Sequence, residues 1–314
     1  MSDDLKGILF AGLAALMWGV LAIALKVALG DVPPASVVWF RFLVAFLIMF
    51  LYLVSFNRKS LRLFIKPPLK LIITALLLGL NYFGFIYGLS FTTPGNAQLF
   101  IQTGPLALAF AGIVIFRERV TLRQIFGFML VTAGFILFYF RQIEAVMGSH
   151  ALYNKGIFWI ITGGLSWAGF SVFQKQLVQN HSAAALNTFI FGLCTIVFLP
   201  AVKYNVFTHL STGNIVLLIF LGINTVIAYG ALAMALKFTE AKKISIIVTL
   251  NPLITFSTMG ILAGLQVSWI TPEHLDSLSI LGAVLVIAGA VMVILKKQPG
   301  KQKLPVDVIS RSSH

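Results

Sequence analysis

The chain has 314 residues, 59% from the apolar set AVILMFWYC and only 10% charged, with a mean hydropathy of +0.97. A soluble domain is roughly half apolar and a quarter charged, so this composition excludes an ordinary globular protein and identifies an integral membrane protein. The formal charge of +14 does not imply a nucleic-acid partner, because Lys and Arg accumulate in membrane-protein loops that stay in the cytosol; the single cysteine, Cys194, excludes an internal disulfide, a zinc ribbon and a CxxC pair.

Cutting the uncharged runs into lengths of about 20 residues yields ten membrane spans, an all-α integral membrane fold. Residues 7–25 form the first span, and 32–57, interrupted only by Arg41, hold the second. The first run is longer than a secretory h-region and lacks an A-x-A-like exit, so it is expected to remain as a span. The stretch 71–116 is too long for one helix, and Thr92-Thr93-Pro94-Gly95 is a turn signal that divides it into spans three and four. Span five covers 122–140, span six 156–174 and span seven 183–202. Span eight covers 214–236, span nine 244–264 and span ten 277–295. The polar tail, 296–314, is read as cytoplasmic and disordered.

The basic residues set the orientation. With the N-terminus inside, the inner segments hold Lys6, Arg58, Lys59, Arg62, Lys66, Lys70, Arg117, Arg119, Arg123, Lys175, Lys237, Lys242 and Lys243, and the tail holds five more. The outer loops hold Arg141, Lys155 and Lys203, with Lys26 and Arg41 near the outer ends of spans one and two. Both termini are therefore expected in the cytoplasm of a multi-pass cell (inner) membrane protein.

The two halves of the chain match. Trp18 with Lys26 parallels Trp167 with Lys175 at an offset of 149, residues 82–105 align without gaps on 229–252 at an offset of 147, and Gly127 and Gly134 correspond to Gly282 and Gly289 at an offset of 155. Each unit contains an odd number of spans, so the second enters the membrane from the opposite side. The units are 5–140 and 154–295, joined by an outer linker, 141–153. Inverted repeats of this kind recur in secondary transporters, with the substrate site near the midplane between them and access alternating by rocking of one bundle against another.

These residues resemble the drug/metabolite transporter superfamily, specifically its EamA type of two tandem five-span units. The resemblance is carried by the Trp18 segment, by Tyr87-Gly88-Leu89-Ser90-Phe91-Thr92-Thr93-Pro94-Gly95-Asn96-Ala97, by Gly104-Pro105-Leu106 and by Phe116-Arg117-Glu118-Arg119-Val120-Thr121. The second unit is similar at 235–241, at Asn251-Pro252-Leu253 and at Gly282 to Gly289, and departs at Leu265-Gln266-Val267-Ser268, where the family usually repeats the Glu-Arg element. The resemblance implies a cavity lined by spans one, three, four, six, eight and nine. It leaves the substrate open among amino acids, sugars, nucleotide derivatives and cationic drugs.

Several polar and aromatic residues fall within about one helical turn of the span centres. Trp18 and Trp167 at mid-depth are candidate cavity walls that also donate an indole hydrogen bond; the alternative is packing beside small residues such as Gly19 and Gly163-Gly164. Gln98 and Gln102 lie one turn apart on span four and must find partners, either a substrate or another helix. Asn81, Tyr82, Asn224, Tyr229 and Asn251 complete the candidate lining. Pro105 and Pro252 free a backbone carbonyl in the preceding turn and are candidate hinges or tolerated kinks. Lys26 and Lys175 lie roughly 12 Å along the helix from their tryptophans, suited to snorkelling or gating, and Arg41 is a further gating candidate in an outward-facing mouth. Glu118 reads as a cytoplasmic ion-pair or capping residue.

The sequence places no Asp, Glu or His at a span centre, which disfavours a carboxylate relay and leaves a facilitator, exchange, or a proton carried by the substrate. The reading is a secondary carrier that exports an amino acid or related compound by alternating access. A zwitterion with an apolar portion suits the lining, and the lack of a fixed counter-ion at the midplane argues against a strongly charged substrate. The runner-up is uptake of a nucleoside-like metabolite or export of a cationic drug. A channel is a further alternative, and an enzyme is disfavoured because the spans hold no reactive cluster. No cofactor or metal is expected; the partners are a small-molecule substrate and the lipid bilayer, and a homodimer is compatible with the sequence.

Overall fold

The computed structural model describes residues 2–140, 151–267 and 277–294. Most of the expected linker, 141–150, and all of the expected tail, 296–314, lie outside the described residues. The described elements are helical: α1 (Asp3–Ala28), α2 (Pro34–Phe56), α3 (Leu69–Leu89), α4 (Pro94–Phe100), α5 (Thr103–Val114) and α6 (Leu122–Phe138) form the first repeat. The second contains α7 (Ala151–Leu177), α8 (Ala183–Phe198), α9 (Thr212–Phe238), α10 (Ala241–Val248), α11 (Asn251–Gly264) and α12 (Ser277–Ile294). Nine spans, counting α4–α5 and α10–α11 as one each, are long and apolar enough to cross a bilayer, and α6 is a shorter apolar helix of 17 residues. Together they make ten transmembrane helices in two inverted sets of five.

The helix starts follow local chemistry. Ser2, Thr93, Thr121 and Ser211 each accept a hydrogen bond from a first-turn amide, and Thr121 with Gln124 forms a reciprocal capping box. Leu9, Leu51, Phe110, Ile196 and Val284 are exposed, because in lipid an apolar exterior needs no cover.

Packing crosses between the repeats. α3 packs along α7, α9 along α1, α2 along α8 and α6 along α12, so the pseudo-two-fold exchanges the α3–α7 and α9–α1 pairs and relates the two helices within each of the α2–α8 and α6–α12 pairs. Close approach is made by glycines. A Cβ on Gly84 of α3 would lie 2.6 Å from the Trp159 carbonyl oxygen, and one on Gly282 of α12 would lie 2.4 Å from the Phe138 nitrogen. Gly127, Gly134, Gly282 and Gly289, which anchor the sequence repeat, therefore face one another across the α6–α12 contact. A Gly84→Ala chain is expected to lose about 1–3 kcal/mol of stability through overpacking, read as a lower thermal midpoint in detergent. An unchanged midpoint would show that the α3–α7 backbones need not touch.

We call the side where α1 begins the N-terminal face; it also carries the 57–68, 115–121 and 239–240 connections. The opposite face carries 29–33, 90–93 and 199–211.

Candidate functional site

Four aromatic residues from corresponding positions of the two repeats meet at the centre of the bundle. Trp18 and Trp167 lie edge to face with ring centroids 5.7 Å apart, Trp18 meets Tyr229 at 5.3 Å, and Tyr229 meets Tyr82 at 5.5 Å. All four are buried and line one cavity. Its wall also includes Leu21, Arg41, Asn81, Phe85, Ile86, Gln98, Ile101, Gln102, Pro105, Val248 and Asn251. Leu21, Phe85, Ile86, Gln98 and Ile101 belong to the half of their spans nearer the opposite face, so the cavity extends from the centre toward that side.

The helices are interrupted beside this cavity. Span four breaks between α4 and α5 at Ile101-Gln102, and span nine between α10 and α11 at Thr249-Leu250. The cause in both is the proline that follows: Pro105 and Pro252 have no N–H for the carbonyls of Ile101 and Val248 four residues earlier. The Ile101 carbonyl accepts from the Gly104 amide at 2.9 Å instead, and Asn251, with its amide nitrogen assigned to the side that faces acceptors, donates to the Val248 carbonyl at 3.0 Å. The Pro105 carbonyl accepts from the Ser245 hydroxyl, linking the two broken spans. Pro105 lines the cavity; Pro252 does not.

Much of the amide chemistry grips α1. Asn224 Nδ2 donates to the Met17 carbonyl at 2.9 Å, Gln98 Nε2 to the Trp18 carbonyl at 3.4 Å and the Asn251 amide to the Ala15 carbonyl at 2.9 Å. The Thr255 hydroxyl donates to the Gly19 carbonyl. Asn224 is thus a clamp between α9 and α1 outside the cavity wall. Asn81 bridges elements as well, its Nδ2 donating to the Gly163 carbonyl at 2.9 Å while its Oδ1 accepts from the Tyr229 hydroxyl at 3.2 Å. The oxygens Gln98 Oε1 and Gln102 Oε1, on residues 2% and 5% exposed, have no hydrogen-bond partner. A buried acceptor without a donor is costly, and here two sit on one cavity wall.

Arg41 is the largest departure from the sequence reading. Counting along the uncharged run puts it near the outer mouth, yet it is 2% exposed and lines the cavity. The start of α2 at Pro34 leaves Arg41 two turns from the opposite face; what buries it is its side chain, which packs on Tyr82 instead of reaching out to the mouth. Its Cζ lies 4.4 Å from the Tyr82 ring centroid. A fixed positive charge therefore does stand within the cavity.

A model of the EamA-like transporter family matches residues 5–140 and 154–295. The chain belongs to the EamA-like transporter family. It is 30% identical over 287 residues to an uncharacterized inner membrane transporter, YhbE, of Escherichia coli K12, covering 90% of this chain and 89% of that one. It is 24% identical over 292 residues to a probable amino-acid metabolite efflux pump of Salmonella typhimurium, covering 88% and 91% respectively. A solved crystal structure superposes with a TM-score of 0.73 at 16% identity over 92% of this chain and 97% of the other, a likeness of fold alone. The EamA chain is therefore a multi-pass inner membrane transporter of the drug/metabolite type, not an enzyme.

Both ends of the EamA bundle are bridged by the same interaction. Lys26 Nζ donates to the carbonyls of Leu89 and Thr92 at 3.1 and 2.6 Å, and its repeat counterpart Lys175 donates to the carbonyl of Thr239, the counterpart of Thr92, at 2.6 Å. Neither ammonium reaches for head groups as snorkelling would require; each ties a helix to the turn that precedes a broken span. Neither lines the cavity.

The N-terminal face carries a further network. Glu118 Oε1 and Oε2 accept from the amides of Ala241 and Lys242 at 2.7 and 3.1 Å, capping α10, and Lys175 Nζ lies 3.9 Å from the same carboxylate. Lys243 Nζ donates to both oxygens of Asp4 at 2.8 Å, and Lys242 Nζ donates to the Arg119 carbonyl. Lys242 and Lys243 are buried within this network, which a surface topology signal does not require. The turns before and after have repeat symmetry too: Arg117 and Gln266, 149 positions apart, are the positive-φ non-glycine residues among those described, at 52° and 55°. In the second repeat the position after that turn is Val267, which has no carboxylate to cap α4.

Sequence reasoning missed Thr225, fully buried and bonded to both Arg41 and Tyr82. Its repeat counterpart is Leu78, so the repeat carries no signal for it; adjacency to Asn224 is the only hint.

Proposed function

We propose that this chain exports an amino acid or a related small zwitterion across the inner membrane by alternating access, with both termini in the cytoplasm. The observation that carries the reading is the pair of unpaired acceptors, Gln98 Oε1 and Gln102 Oε1, on the wall of an otherwise aromatic cavity between the repeats. An ammonium group supplies donors to such acceptors, and the rings of Trp18, Trp167, Tyr82 and Tyr229 accommodate an apolar side chain. The name borne by the Salmonella relative agrees with this substrate class.

Helices drawn from both units, 5–140 and 154–295, rock about the central cavity, and Pro105 and Pro252 are the hinges where span halves change angle. Arg41 in the cavity disfavours an organic cation, since a like charge would have to be desolvated beside it. The excess of Lys and Arg on the N-terminal face supports its cytoplasmic placement.

The test is counterflow in proteoliposomes preloaded with a pooled amino-acid mixture, with and without a pH gradient. Transient uphill accumulation of one labelled amino acid, unaffected by the gradient, is expected of a facilitator. Linear flux without counterflow would identify a channel instead, and accumulation of nucleosides or organic cations but no amino acid would replace the substrate class.

A further inference from the structure

We infer that Arg41 is the anchor for a carboxylate of the transported compound. The inference rests on the transport reading above only in taking the central cavity as the substrate path.

Arg41 is 2% exposed, and no carboxylate among the described residues pairs with it. Its protein partners are neutral. Nε donates to Thr225 Oγ1 at 3.2 Å and Nη2 to the Tyr82 hydroxyl at 3.4 Å. The directions in this cluster are consistent: Thr225 donates to the Leu221 carbonyl at 2.9 Å, so its oxygen is free to accept from both Arg41 and the Tyr82 hydroxyl, the latter at 3.2 Å. The guanidinium plane is held over the Tyr82 ring, and that ring is itself packed on Phe42 at 4.4 Å. The side chain is therefore fixed in position by groups that supply no negative charge.

A guanidinium has five N–H donors in a rigid fork, and the described partners use only two of them. A desolvated cation without a counter-ion is strongly unfavourable, and the structural alternatives that would relieve it, a carboxylate partner or exposure to water, are both lacking here. A carboxylate entering the cavity relieves it by accepting two parallel N–H bonds from the fork. The remaining wall complements this assignment. Gln98 and Gln102 offer acceptors without donors, and Arg41 offers donors without acceptors, so one cavity carries both halves of the complement to a zwitterion.

The test uses the purified full chain in detergent micelles. Binding is followed by tryptophan fluorescence, since Trp18 and Trp167 line the cavity, and by thermal shift. The probes are leucine, methionine and phenylalanine, each with its primary amide, its decarboxylated amine and its desamino carboxylic acid. Acids and desamino acids are expected to bind about 30-fold more tightly than amides and amines, the scale of a charge-assisted hydrogen-bonded pair. Arg41→Gln is expected to erase that preference, while Arg41→Lys, which keeps the charge and loses the fork, retains part of it. Tyr82→Phe, which removes one positioning hydroxyl, is expected to weaken acids more than amides.

Equal binding of acids and amides to the unaltered chain overturns the inference without recourse to any variant. So does an acid preference that survives in a folded Arg41→Gln chain, or failure of every carboxylate at millimolar concentration. Binding of desamino acids with no binding of amino acids would sink the amino-acid reading while upholding the carboxylate anchor.

Discussion

A chain carrying Trp18→Ala and Trp167→Ala together is expected to lose counterflow by about 100-fold or more per inserted molecule. Each indole is a flat wall of the cavity, and truncating a buried aromatic that contacts a ligand removes about 1.5–3 kcal/mol of apolar contact, so two removals compound to that range. The edge-to-face contact between them, at 5.7 Å, contributes about a further 0.5–1.5 kcal/mol and holds the two repeats in register at the pseudo-two-fold. Two effects must then be separated. A binding role raises the half-saturation concentration and leaves the thermal midpoint little changed, whereas a packing role lowers the midpoint and leaves transport per folded molecule intact. Trp18→Phe with Trp167→Phe, which keeps flat apolar walls, is expected to recover most of the flux. Unchanged counterflow in the double alanine chain would remove both tryptophans from the site.

The span count, the inverted repeat and the aromatic centre were legible because each rests on a pattern that the bilayer imposes. Apolar runs must match bilayer thickness, and the offsets of 149, 147 and 155 place Trp18 on Trp167, Tyr82 on Tyr229 and Gly127 on Gly282 before any contact is known. What sequence could not resolve was where polar side chains point. An amide one turn from another is equally suited to a ligand or to a backbone carbonyl; Asn224 and Gln98 both donate to α1 carbonyls and both leave an oxygen without a partner, and only the fold shows that Gln98 lines the cavity and Asn224 does not. Arg41 lies two turns from the outer end of its span, as counting placed it, but counting could not show that its side chain turns inward onto Tyr82 and Thr225. For Lys26 and Lys175 the snorkelling alternative gives way because carbonyls at a turn before a broken helix compete with head groups for an ammonium, and such carbonyls appear only once the chain has folded.

Glu118→Ala is expected to shift the chain toward a state open at the N-terminal face by about two orders of magnitude in population. The closed arrangement there depends on one carboxylate that caps α10 through two amides and lies near Lys175, itself largely buried. Removing one partner of such a cluster leaves a poorly solvated cation and two unsatisfied amides, a cost of about 3 kcal/mol borne by the closed state. The opposite face has the same lysine bridge from Lys26 but no acid at Val267, so the two closures are unequal by construction. Substrate occupying the cavity must offset the stronger lock when the carrier turns over, and weakening it should therefore change the direction of the resting bias rather than the chemistry of binding. The readout is the rate at which a polar thiol reagent modifies Ile244→Cys, a fully buried position one turn into α10, in a chain whose native Cys194 has been replaced by alanine. About 100-fold faster modification is expected in the Glu118→Ala background, and an intermediate rate with Glu118→Gln, which keeps an acceptor for one amide and loses the charge. Modification at the rate of the Glu118 parent would show that the N-terminal face is held without Glu118, by the remaining contacts of Asp4, Lys175, Lys242 and Lys243.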